Sequence, residues 1–232
     1  MKIYKIMDAN LYGQARGLMA RDPEQASRLS REVGRNEPIE LAGRWEPIEV
    51  VPSPHNPGKP LGDFSFLGAE NLLVMSWRAV EALGGELRAH GELLPLRSTA
   101  GEFYFFNVLR DVDAMDFDRS EVKWISGPKG RFLSRVYVYA FRPERLEGVL
   151  VFTMPYHGRQ DHFVGEAFKE RAERAGLQGF LFALVWDSED AGYWDQRYER
   201  EQWEHVKRLH HAERFGLRVS PAPTAPAAPL EP

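Results

Sequence analysis

The chain has 232 residues, 43% hydrophobic and 28% charged, the balance of a folded domain long enough to bury a real core. Its net charge of −4 argues against non-specific adhesion to nucleic acid or to an anionic membrane surface. Cysteine is absent, which excludes disulfides, thiolate zinc sites and cysteine nucleophiles and suits a reducing cytoplasm.

"MKIYKIMDANLYG" has no apolar h-region, so no secretory leader is expected, and "KIYKIM" (2–7) reads as an opening strand. A helix start follows at Asp22-Pro23-Glu24-Gln25: Asp22 caps, Pro23 suits the first helical position, and Gln25 can complete a capping box. Ala26, Leu29 and Val33 then fall on one face, and Gly34 stops the helix. "WEPIEVV" (45–51) reads as a strand, and the Pro/Gly-rich stretch 52–63 as a loop. Ser76 caps a short helix over 76–85, with Trp77, Val80 and Leu83 on one face and Gly84-Gly85 as the stop.

Strands are predicted at 91–96 and 102–109. The second is apolar on both faces and so belongs inside a sheet. After an acidic stretch come strands at 121–125, 131–141 and 148–154, with "SGPKG" (126–130) as the clearest internal break. Val164, Ala167, Phe168, Ala172 and Ala175 predict an amphipathic helix over 161–176, with Gly176 as its left-handed terminator. "FLFALVWD" (180–187) reads as a buried strand, too short to span a bilayer, which takes about 20 residues. A charged helix is expected at roughly 190–214, and 219–232 as a disordered Pro/Ala tail. Strands outnumber helices without βαβ alternation. The expected architecture is α+β: mostly antiparallel sheet with a few amphipathic helices, in one domain over 1–218.

The chemistry-bearing stretch is "DVDAMDFDRSE", which places Asp111, Asp113, Asp116, Asp118 and Glu121 close together. It does not fit a calcium-binding EF-hand loop, because Met115 and Asp116 stand at positions 5 and 6 and Val122 at position 12. His157 and His162 are five apart, the wrong spacing for a zincin helix. No Gly-x-Ser-x-Gly elbow, dinucleotide fingerprint or P-loop occurs. "FYFF" (103–106) lacks interleaved cations and reads as core, not as a stacking platform for bases. Trp194, Tyr198 and Trp203 either pin the last helix to the body or form an interface anchor. These readings give no catalytic, cofactor or metal residues.

An ordered set of segments carries a resemblance. The Trp-bearing short helix, "HGELLPL", "EFYFFNVLRDVDAMDFDRS" and "FVGEAFKERAERAGLQGFLFALVWD" together resemble the bacterial immunity proteins of polymorphic-toxin systems. The family is the eleventh immunity family, formerly a domain of unknown function, and the similarity spans roughly 60–190. It implies a cytoplasmic protein that binds a cognate toxin domain stoichiometrically, without catalysis, cofactor, nucleic-acid or membrane partner. A nuclease, with a basic active site, is the first expectation for that toxin. The five carboxylates 111, 113, 116, 118 and 121 are then the candidate partner-binding residues, able to mimic phosphates and to steer encounter. The competing reading of the same stretch is a plain turn, with Val112, Met115 and Phe117 toward the core and the acids wet. The functional alternatives are a hydrolase or metal-dependent enzyme whose fold joins His157, His162 or the Asp cluster in a pocket, and a module that binds peptides at a sheet edge.

Overall fold

The computed structural model describes residues 1–34, 37–67, 72–127, 130–156, 159 and 161–189. All of these lie within one compact unit, Met1–Trp194. The helix expected near 190–214 with Trp194, Tyr198 and Trp203, the Pro/Ala tail, and His157 fall outside the described residues.

In chain order the elements are β1 (Lys2–Asp8), β2 (Leu18–Ala20), α1 (Pro23–Val33), β3 (Val50–Pro52), β4 (Phe64–Phe66), β5 (Leu73–Ser76), α2 (Trp77–Leu83) and β6 (Gly91–Pro95). They continue with β7 (Phe103–Val108), β8 (Glu121–Gly127), β9 (Gly130–Val138), β10 (Val151–Phe152), β11 (Phe163–Gly165), α3 (Glu166–Arg174) and β12 (Phe180–Asp187). Two four-stranded sheets, ordered β10-β11-β1-β12 and β4-β5-β7-β6, are joined by two smaller pairs, β2-β3 and β8-β9. Every strand pairing within these sheets is antiparallel. The expected α+β class holds.

Three apolar clusters alternate with the two large sheets. Tyr4, Ile6, Val151 and Val164 of one sheet meet Phe64, Leu73, Met75 and Phe106 of the other, with Leu83 of α2 and Phe168 of α3 in the same cluster. The opposite face of the second sheet, through Val74, Leu94, Phe103 and Phe105, packs on Ala26, Leu29 and Val33 of α1. The opposite face of the first sheet, through Ile3, Phe152, Phe163 and Trp186, packs on Met115, Leu133, Tyr139 and Phe141. This layering explains why β7 is apolar on both faces: it sits between β5 and β6 with a cluster on each side.

Local chemistry sets the helix ends. The Asp22 carboxylate accepts from the backbone N–H groups of Glu24 and Gln25, and Pro23 opens α1 as predicted. The Ser76 hydroxyl accepts from Ala79 N–H at the start of α2. Gly176 follows α3 at φ +61°, the left-handed position predicted for it.

Several boundaries differ from the sequence reading. Only the end of the segment 45–51 joins a sheet, in β3 (Val50–Pro52), because Pro47 has no N–H to give the ladder. Trp77 is exposed at the start of α2 and lies beside Tyr104 instead of joining Val80 and Leu83 in the core. The helix expected over 161–176 begins at Glu166. Phe163–Gly165 instead pair with β1, so Val164 belongs to a strand, and Ala167 is exposed. β12 is an edge strand, buried at Val185 and Trp186 but half-exposed over Leu181–Leu184. The break at 126–130 is the turn of the β8–β9 hairpin, with Gly127 opposite Gly130.

Candidate partner-binding surface

The acidic stretch leaves β7 and is held on both sides by backbone hydrogen bonds. Along one side, Val112 N–H donates to the Thr153 carbonyl and Thr153 N–H to the Arg110 carbonyl, both at 2.9 Å. Along the other, Asp116 N–H donates to Ala140 O at 2.9 Å and Arg142 N–H to Ala114 O at 2.8 Å. Ser120 Oγ closes the end of the loop, donating to Ala140 O and accepting from Ala140 N–H. Val112, Ala114 and Met115 point into the aromatic cluster on Phe141. The loop is a rigid strap, because its apolar side chains and about half of its polar backbone are engaged at once.

The strap sorts the five carboxylates. Asp111 is half-buried and accepts from the Thr153 hydroxyl at 3.0 Å. Burial pushes its carboxyl up from the usual range, against the opposing pull of the Thr153 hydrogen bond and the Arg159 charge. Asp116 is also half-buried and folds back on its own turn, taking Asp118 N–H on its carboxylate at 3.1 Å. Asp113 is exposed and pairs with Arg142 at 2.8 Å. Asp118 and Glu121 are exposed, with no side-chain partner among the described residues. Of the five, then, two serve the loop itself, one is half-neutralised, and two face water as free anions. Phe117 is 38% exposed beside them, with its ring against Tyr156 at 5.0 Å and Trp124 at 5.6 Å. Of the three apolar residues expected in the core, Phe117 is the one that stays at the surface.

Beneath the strap lies a buried cation that the sequence reading did not single out. Arg159 is 4% exposed and donates to Thr153 Oγ1 at 3.2 Å, to Val33 O at 3.1 Å and to Val108 O. One guanidinium thus ties the end of α1, the end of β7 and the strand side of the acidic loop. Nothing around Arg159 in the sequence marks it, since its acceptors are two remote carbonyls and a threonine.

Residues 94–187 match the immunity protein family (Imm11). The match covers 94 of the 232 residues. It bears out the resemblance drawn from the sequence over a shorter span, beginning at the end of β6 and closing on the last residue of β12. No curated protein matches the chain. The Imm11 segment contains the acidic strap, the β8–β9 hairpin and α3, but it does not close its own sheet. β1, from the unmatched N-terminal part, lies between β11 and β12 and pairs with both.

Among the described residues the histidines and the acids do not converge. His162 is fully buried with its ring 5.7 Å from Phe66, and its Nδ1 has no hydrogen-bond partner. Burial drives its pKa down to about 4, outweighing the attraction of Asp161. His90 is also buried, with Nδ1 at 2.9 Å from Glu86 O and Nε2 accepting from Leu150 N–H, a pairing that selects the neutral Nδ1–H tautomer. Among the described residues no group of three or more Asp, Glu or His side chains is placed to hold a metal ion. An open cleft of about 190 Å³ lies between α1 and the 41–48 segment, lined by Arg28, Glu32, Arg44, Trp45 and Glu46 among others. It contains no histidine and none of the clustered aspartates. Among the described residues no helix is long and apolar enough to cross a membrane.

Proposed function

We propose that this chain neutralises a cognate toxin domain in the cytoplasm of the producing or sibling cell by forming a stoichiometric, non-catalytic complex. The observation that carries the reading is the Imm11 match over 94–187, a segment in which the exposed Asp113 and Asp118 stand on a hydrogen-bonded strap and the exposed Glu121 follows it. The partner best suited to that surface is a basic protein, with a nuclease as the first choice, because a phosphate-binding site attracts fixed carboxylates. In this reading Asp113, Asp118 and Glu121 meet the partner. Asp111 and Asp116 serve the same interface from behind, by holding the strap in shape. Preorganisation matters here because a loop that is already ordered loses little entropy on binding.

The test is co-expression. The C-terminal domain encoded by the adjacent reading frame is produced in a host cell with and without this chain, and survival and co-purification are scored. Rescue together with a one-to-one complex is the expected result. Toxicity that persists despite soluble expression of this chain, with no complex recovered, contradicts the proposal.

A further inference from the structure

The β8–β9 hairpin carries a second surface, of opposite charge to the strap. Among the described residues its two strands pair only with each other, which leaves the outer edge of β8 without a strand partner there. The inward side chains Val122, Trp124, Leu133 and Val136 join the aromatic cluster. The outward ones include Lys123 on β8 and Arg135 on β9, which the register places directly opposite each other. Both are exposed, and neither has an ion-pair partner among the described residues. Like charges directly opposite on a two-stranded ribbon oppose pairing. A single edge lysine is enough to discourage strand-to-strand aggregation, so the opposing arginine is not accounted for by that role. The Arg135 guanidinium also stands 6.0 Å from the Tyr137 ring centroid, which restrains it on the outer face. Ile125, two residues along β8 from Lys123, is 37% exposed on the same side. Glu121, at the base of the hairpin, is exposed and stands opposite the buried Val138.

The geometry points to this outer face as a docking site for an acidic, extended segment of a protein partner, laid as an added strand along β8. The charge is complementary: a carboxylate between Lys123 and Arg135 relieves their mutual repulsion and forms charge-assisted hydrogen bonds with both. The free edge offers main-chain hydrogen bonds, and Ile125 offers one apolar contact beside the cations. The choice of a protein as occupant rests on the immunity reading. The charge and edge chemistry stand apart from it, so the two fail separately.

The full-length chain is titrated with three fluorescein-labelled probes at low salt: a peptide of about twelve residues alternating Glu and Thr, its Lys/Thr counterpart, and a short DNA duplex, read by polarisation. The expected result is that the Glu peptide binds at least about tenfold tighter than the Lys peptide and the duplex. K123E is expected to cut that binding by about tenfold or more while leaving the unfolding midpoint unchanged or higher, since it places opposite charges across the ribbon. Backbone amide shifts on adding the Glu peptide should concentrate in 121–138. The proposal is overturned by equal binding of both peptides, by preference for the duplex, by a K123E variant that binds as the parent does, or by a concentration-dependent dimer abolished by K123E, which would make a second copy the occupant. A chain that rescues cells but ignores the Glu peptide overturns this inference and leaves the immunity reading standing.

Discussion

The acidic strap at 111–120 and the hairpin at 121–138 are consecutive in the chain and opposite in construction. The strap has almost no regular secondary structure, yet it is fixed from both sides by backbone hydrogen bonds and from below by Val112, Ala114 and Met115. The hairpin is regular sheet, but among the described strands it pairs only with itself, and it is interrupted by two register shifts. Regularity and rigidity are therefore separate properties here. What holds a segment in place is the number of its groups satisfied by the rest of the fold. The difference also sorts charge. On the strap, Asp113 is paired with Arg142, Asp111 takes a hydrogen bond from the Thr153 hydroxyl, and Asp118 has no side-chain partner among the described residues. On the hairpin, Lys123 and Arg135 face each other with no ion-pair partner among the described residues.

The comparison breaks first if the foundation of the strap can be removed without effect. R159M is expected to cost about 3–5 kcal/mol, because it removes one buried cation and strands three acceptors on three separate elements. M115A, at a side chain 1% exposed, should cost about 2–4 kcal/mol, while I125A on the hairpin face stays within about 0.5 kcal/mol. Urea unfolding of the three variants gives the order. Equal costs for M115A and I125A would mean that the strap is no better anchored than the hairpin.

A third expectation concerns pH. His162 has a folded pKa of about 4, below the usual 6.5, so the unfolded chain binds the proton more tightly. Stability from this group is intact above about pH 6.5 and falls as the pH drops toward 4, by about 2 kcal/mol between pH 7 and pH 5. Asp111 acts in the opposite sense: its raised pKa means that protonation favours the folded state, so acid relieves a cost there. Urea midpoints at pH 7 and pH 5 for the parent and for H162F separate the two. A parent-like pH slope in H162F would assign the acid sensitivity elsewhere.

The smallest structural effects and the most specific binding effects belong to the exposed acids. D113N/D118N/E121Q should leave stability within about 1 kcal/mol of the parent. It should slow association with the toxin domain by about tenfold and flatten its salt dependence. D111N, behind the strap, should leave the association rate near that of the parent.

How much of this was readable from sequence follows from the range of the interactions. The cap of α1, its buried face and the left-handed Gly176 are set by residues within one or two turns, and the sequence reading placed them correctly. The start of α3 was misplaced because Val164 fits a helical stripe and a strand equally well, and only pairing with β1 decides between them. β2, β4 and β5 are three or four residues long, too short to show a period. The sorting of the acids was not legible either. Arg142, which pairs with Asp113, is 29 residues away, and Thr153, which holds Asp111, is 42 residues away. The opposition of Lys123 and Arg135 likewise exists only in the hairpin's shifted register.

The most direct test of the central claim is amide hydrogen exchange on the full-length chain, alone and with the toxin domain from the adjacent reading frame, under conditions where co-expression rescues the host. The account predicts a one-to-one complex in which protection rises over 113–120 and the β8–β9 hairpin, with α1 and its cleft unchanged. Protection confined to α1 and the 41–48 segment, with the strap and hairpin exchanging as in the free chain, would contradict it.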